Sequence, residues 1–267
     1  MVQGLAFVIP RYDEEFFNAK LIDIIIYGFN ISFIGDFMDF EELKKLYLEK
    51  KNENGVEVYR HISELFREAR EIHRDYYLNR PDVKKAVEVG RRVDPDQSWR
   101  AFKGKNLEKL LAFMIEEEVR SLGLKLWQGK GNNKEISQVK RNLLINYGEF
   151  GYHLPDLDLV IFDPETPEKR VIAILSVKVT LRERIAQTGY WKFKLLEDEA
   201  QSHIKVFFIT LDEDETLTTK LPAKKGRAIV EVDTDGCYVL SDATYELSDK
   251  VKMFDKLIED LEKLINS

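Results

Sequence analysis

The chain is poor in residues that build covalent or metal frameworks. A single cysteine, Cys237, stands among 267 residues. No intramolecular disulfide framework is therefore possible, and the composition suits a reducing compartment. Cys237 falls in the strand-like stretch "GCYVLSD", where a buried structural thiol is expected. The histidines, His61, His73, His153 and His203, are scattered without zinc-ligand spacing. "GKGNN", beginning at Gly129, lacks the helix signature that follows a glycine-rich phosphate loop. The longest apolar region, "LIDIIIYGFNISFIGDF", is interrupted by Asp23, Asn30 and Asp36 and does not read as a membrane span. "MVQGLAFVIPRYDEE" has no basic start and only a short apolar run, so no export signal and a cytoplasmic location are expected. Positive charge is in deficit: 41 Lys and Arg against 48 Asp and Glu give a formal net charge of −7. That excludes a protein that coats nucleic acid through bulk charge, but not a cleft with local positive charge.

With 44% hydrophobic and 33% charged residues, the chain is globular rather than disordered. From about residue 39 to 92, apolar residues three and four apart predict helices over "FEELKKLYLEKK", "HISELFREAREIHRDYYL" and "PDVKKAVEVGRR". "VDPDQSWRAFKGK" reads as a boundary, with Pro95-Asp96 in a turn. It divides an N-terminal mainly helical domain, 1–95, from a second domain, 96–267. In the second, helix and strand patterns alternate. "NLEKLLAFMIEEEVRSLG" is an amphipathic helix closed by Gly123, "LKLWQ" a short strand and "EISQVKRNLLINYG" a helix. "DLDLVIFD" and "RVIAILSVK" are strands, "RERIAQTGYWKFKLLEDEA" a helix and "HIKVFFITL" a strand. "GRAIVEVDTDGCYVLSD" reads as a hairpin turning near Asp235-Gly236, and "DKVKMFDKLIEDLEKLI" as a last helix. This order implies an α/β fold, a mixed central sheet flanked by helices on both faces. "VIAIL", without polar alternation, suits a central strand.

Between Arg170 and Lys194 six basic residues face one acid, Glu183. This basic island surrounds the chemistry-bearing pattern. Ser176 and Lys178 share a strand face, and Asp156 begins the preceding strand after Pro155. If the strands are neighbours, Asp156 and Lys178 meet at one edge of the sheet. There a carboxylate beside a lysine can hold a divalent metal and position an attacking water. The bland alternative is a lysine snorkelling from a strand end. Asp158, on the same face as Asp156, is the local rival for the metal. Arg182, Glu183 and Arg184 follow at a helix start. Arginine can bind guanine O6 and N7 with two hydrogen bonds, and glutamate can accept from cytosine N4. An exposed salt-bridged helix start is the alternative.

Pro155-Asp156, then "SVK", then "RER" and a glutamine resemble the PD-(D/E)XK type II restriction endonucleases that recognise CCGG-type or CCNGG-type sites, in particular the BsaWI type. The resemblance covers roughly residues 98 to 210. It implies a restriction-endonuclease-like core and Mg²⁺-dependent, site-specific hydrolysis of double-stranded DNA. It also implies a homodimer on a palindromic site, with cleavage before the first C of a CCGG core. Carried over, Asp156 would be a metal ligand, Lys178 the catalytic lysine, and Arg182, Glu183 and Arg184 the DNA readers. Ser176 stands where other nucleases carry the acidic residue of the (D/E)XK motif. Gln187 lies where the family's following helix usually supplies the missing carboxylate. The second carboxylate thus stays open, with Glu108 of the first core helix the best candidate and Gln187 and Asp158 next. Two rival functions remain at this level: a structure-specific nuclease of the resolvase or repair type, and a non-catalytic DNA-binding protein.

Overall fold

Asp39 starts the first helix by accepting the backbone N–H groups of Glu41 and Glu42 at 2.8 and 3.0 Å, donors that have no intrahelical partner. The computed structural model describes residues 38–181 and 185–266. The helices are α1 (Phe40–Asn54), α2 (Ile62–Asn79), α3 (Pro81–Glu88), α4 (Pro95–Ser121), α5 (Lys134–Arg141), α6 (Ile185–Leu196), α7 (Lys225–Asp233) and α8 (Leu257–Asn266). The strands are β1 (Lys125–Trp127), β2 (Ile145–Asn146), β3 (Tyr152–His153), β4 (Leu159–Phe162), β5 (Val171–Lys178), β6 (Lys205–Thr210), β7 (Gly236–Val239) and β8 (Val251–Met253). Six of them form a mixed sheet in the order β1-β4-β5-β6-β7-β8. β1, β4 and β5 run antiparallel in turn, and β5 through β8 run parallel. β2 and β3 form a small separate pair.

Side-chain alternation along the central strands divides the core. Leu175 and Val177 of β5 and Phe207 and Ile209 of β6 face α1, α2, α4 and α8. Ile174, Val206 and Phe208 meet the layer holding α5, α6 and α7. β5 is buried along its length except at Lys178, as expected for a strand covered on both faces. The cluster on the α4 side crosses residue 95, joining Leu65, Phe66 and Ala69 of α2 to Trp99, Leu107 and Leu111 of α4. From Met38 onward the chain packs as one unit. Among the described residues, no helix is long and apolar enough to cross a membrane.

Four local expectations are corrected. "VDPDQSWRAFKGK" is not a turn but the opening of α4: Asp94 accepts the Gln97 N–H at 2.9 Å, and Pro95 occupies the first helical turn. A Pro-Asp pair suits a turn and a helix start alike. Burial of Trp99, Lys103, Asn106 and Leu107 along one side decides for the helix. α4 closes as expected at Gly123, whose φ of +76° lets its N–H reach Arg120 O while Leu124 N–H reaches Val119 O. "GRAIVEVD" is the helix α7 rather than a hairpin arm. Its alternating branched residues mimic a strand, but a helix sets Arg227 one turn from Glu231, to which it bonds at 2.8 Å. The same fully buried guanidinium reaches Leu217 O and Glu246 O. The last segment begins with the edge strand β8 before α8, and "EISQVKRNLLINYG" leaves its helix at Arg141 and forms β2.

Candidate active site

Antiparallel pairing of Leu159 with Leu175 and Val160 with Ile174 brings the start of β4 beside the end of β5. Here the apolar strand gives way to a cleft of about 510 Å³. Its lining includes Glu108 from α4, Asp156 and Asp158 ahead of β4, Ser176 and Lys178 from β5, and Gln187 and Thr188 from α6. Every described residue singled out in the sequence as catalytic or metal-binding therefore borders one space: Asp156, Lys178, Glu108, Ser176 and Gln187. Arg182, Glu183 and Arg184 lie outside the described residues.

The carboxylate that meets Lys178 is Asp158, not Asp156. Asp158 Oδ2 takes the Lys178 ammonium at 2.5 Å, the Val177 N–H at 2.8 Å and the Ser176 hydroxyl at 3.4 Å. Its Oδ1 has no hydrogen-bond partner among the described residues. Lys178 also donates to Val177 O at 3.2 Å. The pair is mostly sheltered, with side-chain exposures of 17% for Lys178 and 15% for Asp158, so each partner offsets the other's desolvation. Ser176 Oγ lies 3.2 Å from Thr188 Oγ1, tying β5 to α6 through two buried hydroxyls. Asp156 and Gln187 are exposed in the cleft wall.

Glu108 is half-buried. Desolvation, then the charge of Asp158, and less strongly that of Asp156, push its carboxyl above the ordinary range, against the opposing pull of Lys178 and Lys130. Three acids sharing a cleft with two lysines form an electrostatic setting that favours an added cation. Among the described residues, no group of three or more His, Cys, Asp or Glu side chains is placed to hold a metal ion.

Two lysines of the basic island are committed elsewhere. Lys192 is buried, bonded to Ile204 O and paired with Asp235 at 2.8 Å. Lys194 pairs with Glu197. His153 sits outside the cleft with its Nε2 on Phe150 O, and Cys237 is buried in β7, where burial pushes its thiol up. Asp212, in the acidic run "LDEDE" after β6, is only 2% exposed and accepts the Thr216 and Leu217 N–H groups. Sequence reasoning also missed the part-buried ion pair of Lys103 with Glu213. It joins α4 to the loop after β6, whose Glu213 N–H bonds to Val179 O beside Lys178. A lysine on an amphipathic helix carries no signal of such a distant partner.

The chain is similar to several known proteins. A family model described as BsaWI restriction endonuclease type 2 matches residues 135–260. MjaVIP of Methanocaldococcus jannaschii, assigned to the type II restriction enzymes, is 36% identical over 214 residues, 75% of this chain and 92% of that one. HpyAORF263P of Helicobacter pylori, assigned to the same class, is 38% identical over 122 residues, 44% of this chain and 62% of that one. Among solved structures, restriction endonuclease PspGI in complex with substrate DNA aligns with a TM-score of 0.50 at 15% identity, covering 84% of this chain and 93% of that one. That likeness shows a restriction-endonuclease-like fold.

Proposed function

The chain belongs to the type II restriction enzymes, site-specific deoxyribonucleases, and from that premise we propose that it uses Mg²⁺ to cut double-stranded DNA at a palindromic site with a CCGG-type core. The observation that carries this reading is the single cleft bordered by Glu108, Asp156, Asp158, Ser176, Lys178 and Gln187. Its donors suit a hard cation. Mg²⁺ prefers oxygen ligands and is commonly held by one or two carboxylates, with water and substrate phosphate completing its shell. An open cleft with a few carboxylates meets that requirement where a closed cage would not. Glu108 and Asp156 would hold the ion. The chemistry it would supply there is Lewis-acid stabilisation of the charge that develops at the scissile phosphate.

The remaining roles follow from the side chains themselves. Water attacks phosphorus in line, and the Lys178 ammonium orients it and stabilises the growing negative charge. Asp158 Oδ2 fixes that ammonium at the strand end, so the lysine is positioned before DNA arrives. Ser176 takes the place of the motif's usual acid and, with Thr188, locks α6 against β5. Gln187 presents an amide to the cleft from α6 and hydrogen-bonds the bound phosphodiester. Arg182, Glu183 and Arg184 read the core bases. Cleavage before the first C leaves 5′-phosphates and four-base 5′ overhangs.

A palindromic target is matched by a twofold homodimer, each protomer reading one half-site. Residues 1–95 are an N-terminal mainly helical domain and residues 96–267 the nuclease domain in this reading. Action on intracellular DNA places the protein in the cytoplasm. The test is digestion of phage DNA with Mg²⁺, followed by sequencing of the fragment ends. Discrete fragments with CCGG-containing ends support the reading. Branch-specific cutting would indicate the resolvase class, and no cutting under any divalent ion would leave only DNA binding.

A further inference from the structure

One motif is not absorbed by the function above. "GKGNN" lacks a phosphate-loop signature, yet the fold draws it into the cleft, where Gln128, Gly129 and Lys130 form one lip. Gly129 and Gly131 both take left-handed backbone, with φ of +68° and +86°. At Gly129 a Cβ would lie 2.8 Å from the Leu157 carbonyl oxygen, so glycine alone permits this approach. Leu157 lies between Asp156 and Asp158, so the turn is pressed against the segment that carries both acids. Its other side is pinned as well. The buried Trp127 indole N–H donates to Lys130 O at 2.5 Å. Lys140 donates to Gly131 O at 3.0 Å while lying over the Trp127 ring. The backbone is thus held from both sides, yet the Lys130 ammonium is exposed and makes no ion pair or hydrogen bond with the described residues. The cleft's other lysine, Lys178, is already committed to Asp158.

We propose that this turn is a phosphate clamp, in which Lys130 binds a DNA backbone phosphate beside the scissile one. The proposal deepens, and rests on, the reading of the cleft as the DNA-cleaving site. A positioned but unpaired cation suits a phosphodiester, which carries one negative charge and no sequence information. It complements rather than duplicates Lys178. The Lys130 charge acts on Glu108, so both lips of the cleft belong to one electrostatic unit. An ordinary solvated surface lysine would need neither the left-handed glycine nor the two anchors beneath it.

The experiment compares the parent with Lys130→Ala, Lys130→Arg and Lys178→Ala. Affinity for a short duplex without CCGG is measured in EDTA across a salt series, and cleavage of phage DNA is measured with Mg²⁺. Lys130→Ala is expected to bind more weakly and to lose about 0.9 from the slope of log affinity against log salt. Its deficit should therefore shrink about 3.5-fold when salt is raised fourfold. Lys130→Arg should keep the parental slope, and Lys130→Ala should cut more slowly at the same sites. An unchanged slope and cleavage rate in Lys130→Ala, with a parent that cuts and a Lys178→Ala variant that does not, overturn the clamp and leave the cleft assignment standing. A parent that cuts no DNA overturns both.

Discussion

Replacing Glu108 with glutamine separates the stability of the cleft from its chemistry. Glu108 faces Asp158 and Asp156 while half-buried, and its carboxyl is raised above the ordinary range chiefly by desolvation. An acid raised on folding destabilises the native state once ionised. That cost is absent below the ordinary carboxylate range and complete above the raised value, so the parent loses stability as pH rises through the window. Glu108→Gln removes the effect and should be at least as stable as the parent at pH 7 in EDTA. Added Mg²⁺ should reverse the order. Metal at 100 times its dissociation constant stabilises a protein by about 2.7 kcal/mol, roughly 5–10 °C in Tm for a domain of this size. Removing one carboxylate ligand is expected to weaken metal binding at least as much as a lost outer contact does, about 10–100-fold. The gain then falls to about 0.4–1.4 kcal/mol at the same metal concentration. Cleavage should drop on the order of 100-fold, the equivalent of about 2.7 kcal/mol in the barrier, and need more Mg²⁺. Thermal melts with and without Mg²⁺, beside a metal titration of cleavage, check both parts. A Glu108→Gln protein that is less stable in EDTA yet cuts with parental metal dependence refutes the reasoning.

Four further outcomes are expected. Lys178→Ala and Asp156→Ala should abolish cleavage with the fold intact by circular dichroism. Asp158→Asn should cost about 2–5 kcal/mol of stability as well, because it leaves the sheltered Lys178 without its anion; parental urea stability would sink that account. Glu183→Ala should collapse discrimination between CCGG-containing and unrelated duplexes, although losing an acid would strengthen a purely electrostatic grip; unchanged site cutting would reduce the triplet to a surface ion pair. Burial pushes Asp212 up to about 6, so its ionisation should remove roughly 3 kcal/mol as pH rises from about 4 to 6. Urea melts across that range should show a shallower decline for Asp212→Asn, and parallel curves would contradict the assignment.

Periodicity and spacing determined much of this protein, because those signals are local. The apolar run of β5, the helix pattern from Leu107 to Val119 and the interval from Pro155-Asp156 to Lys178 each express the geometry of a single element or a hairpin. They were enough for a mixed sheet flanked by helices and for a cleft at the end of β5. Local signals failed where two structures share one pattern. Pro95-Asp96 suits a turn and a helix start, and "GRAIVEVD" suits a strand until Arg227 is buried against Leu217 O and Glu246 O. The finer site belonged to tertiary structure alone. Asp156 and Asp158 are equivalent by alternation, and only the local path ahead of β4 puts Asp158 Oδ2 on both Lys178 and the Val177 N–H. Glu108 is far away in sequence, and only packing of α4 brings it to the cleft. Lys130 gained its setting from a glycine pressed onto Leu157. Lys192, one of the island's cations, lost its surface role to Asp235. A side chain's partner across the fold is set by long-range packing, which the sequence around that residue does not encode.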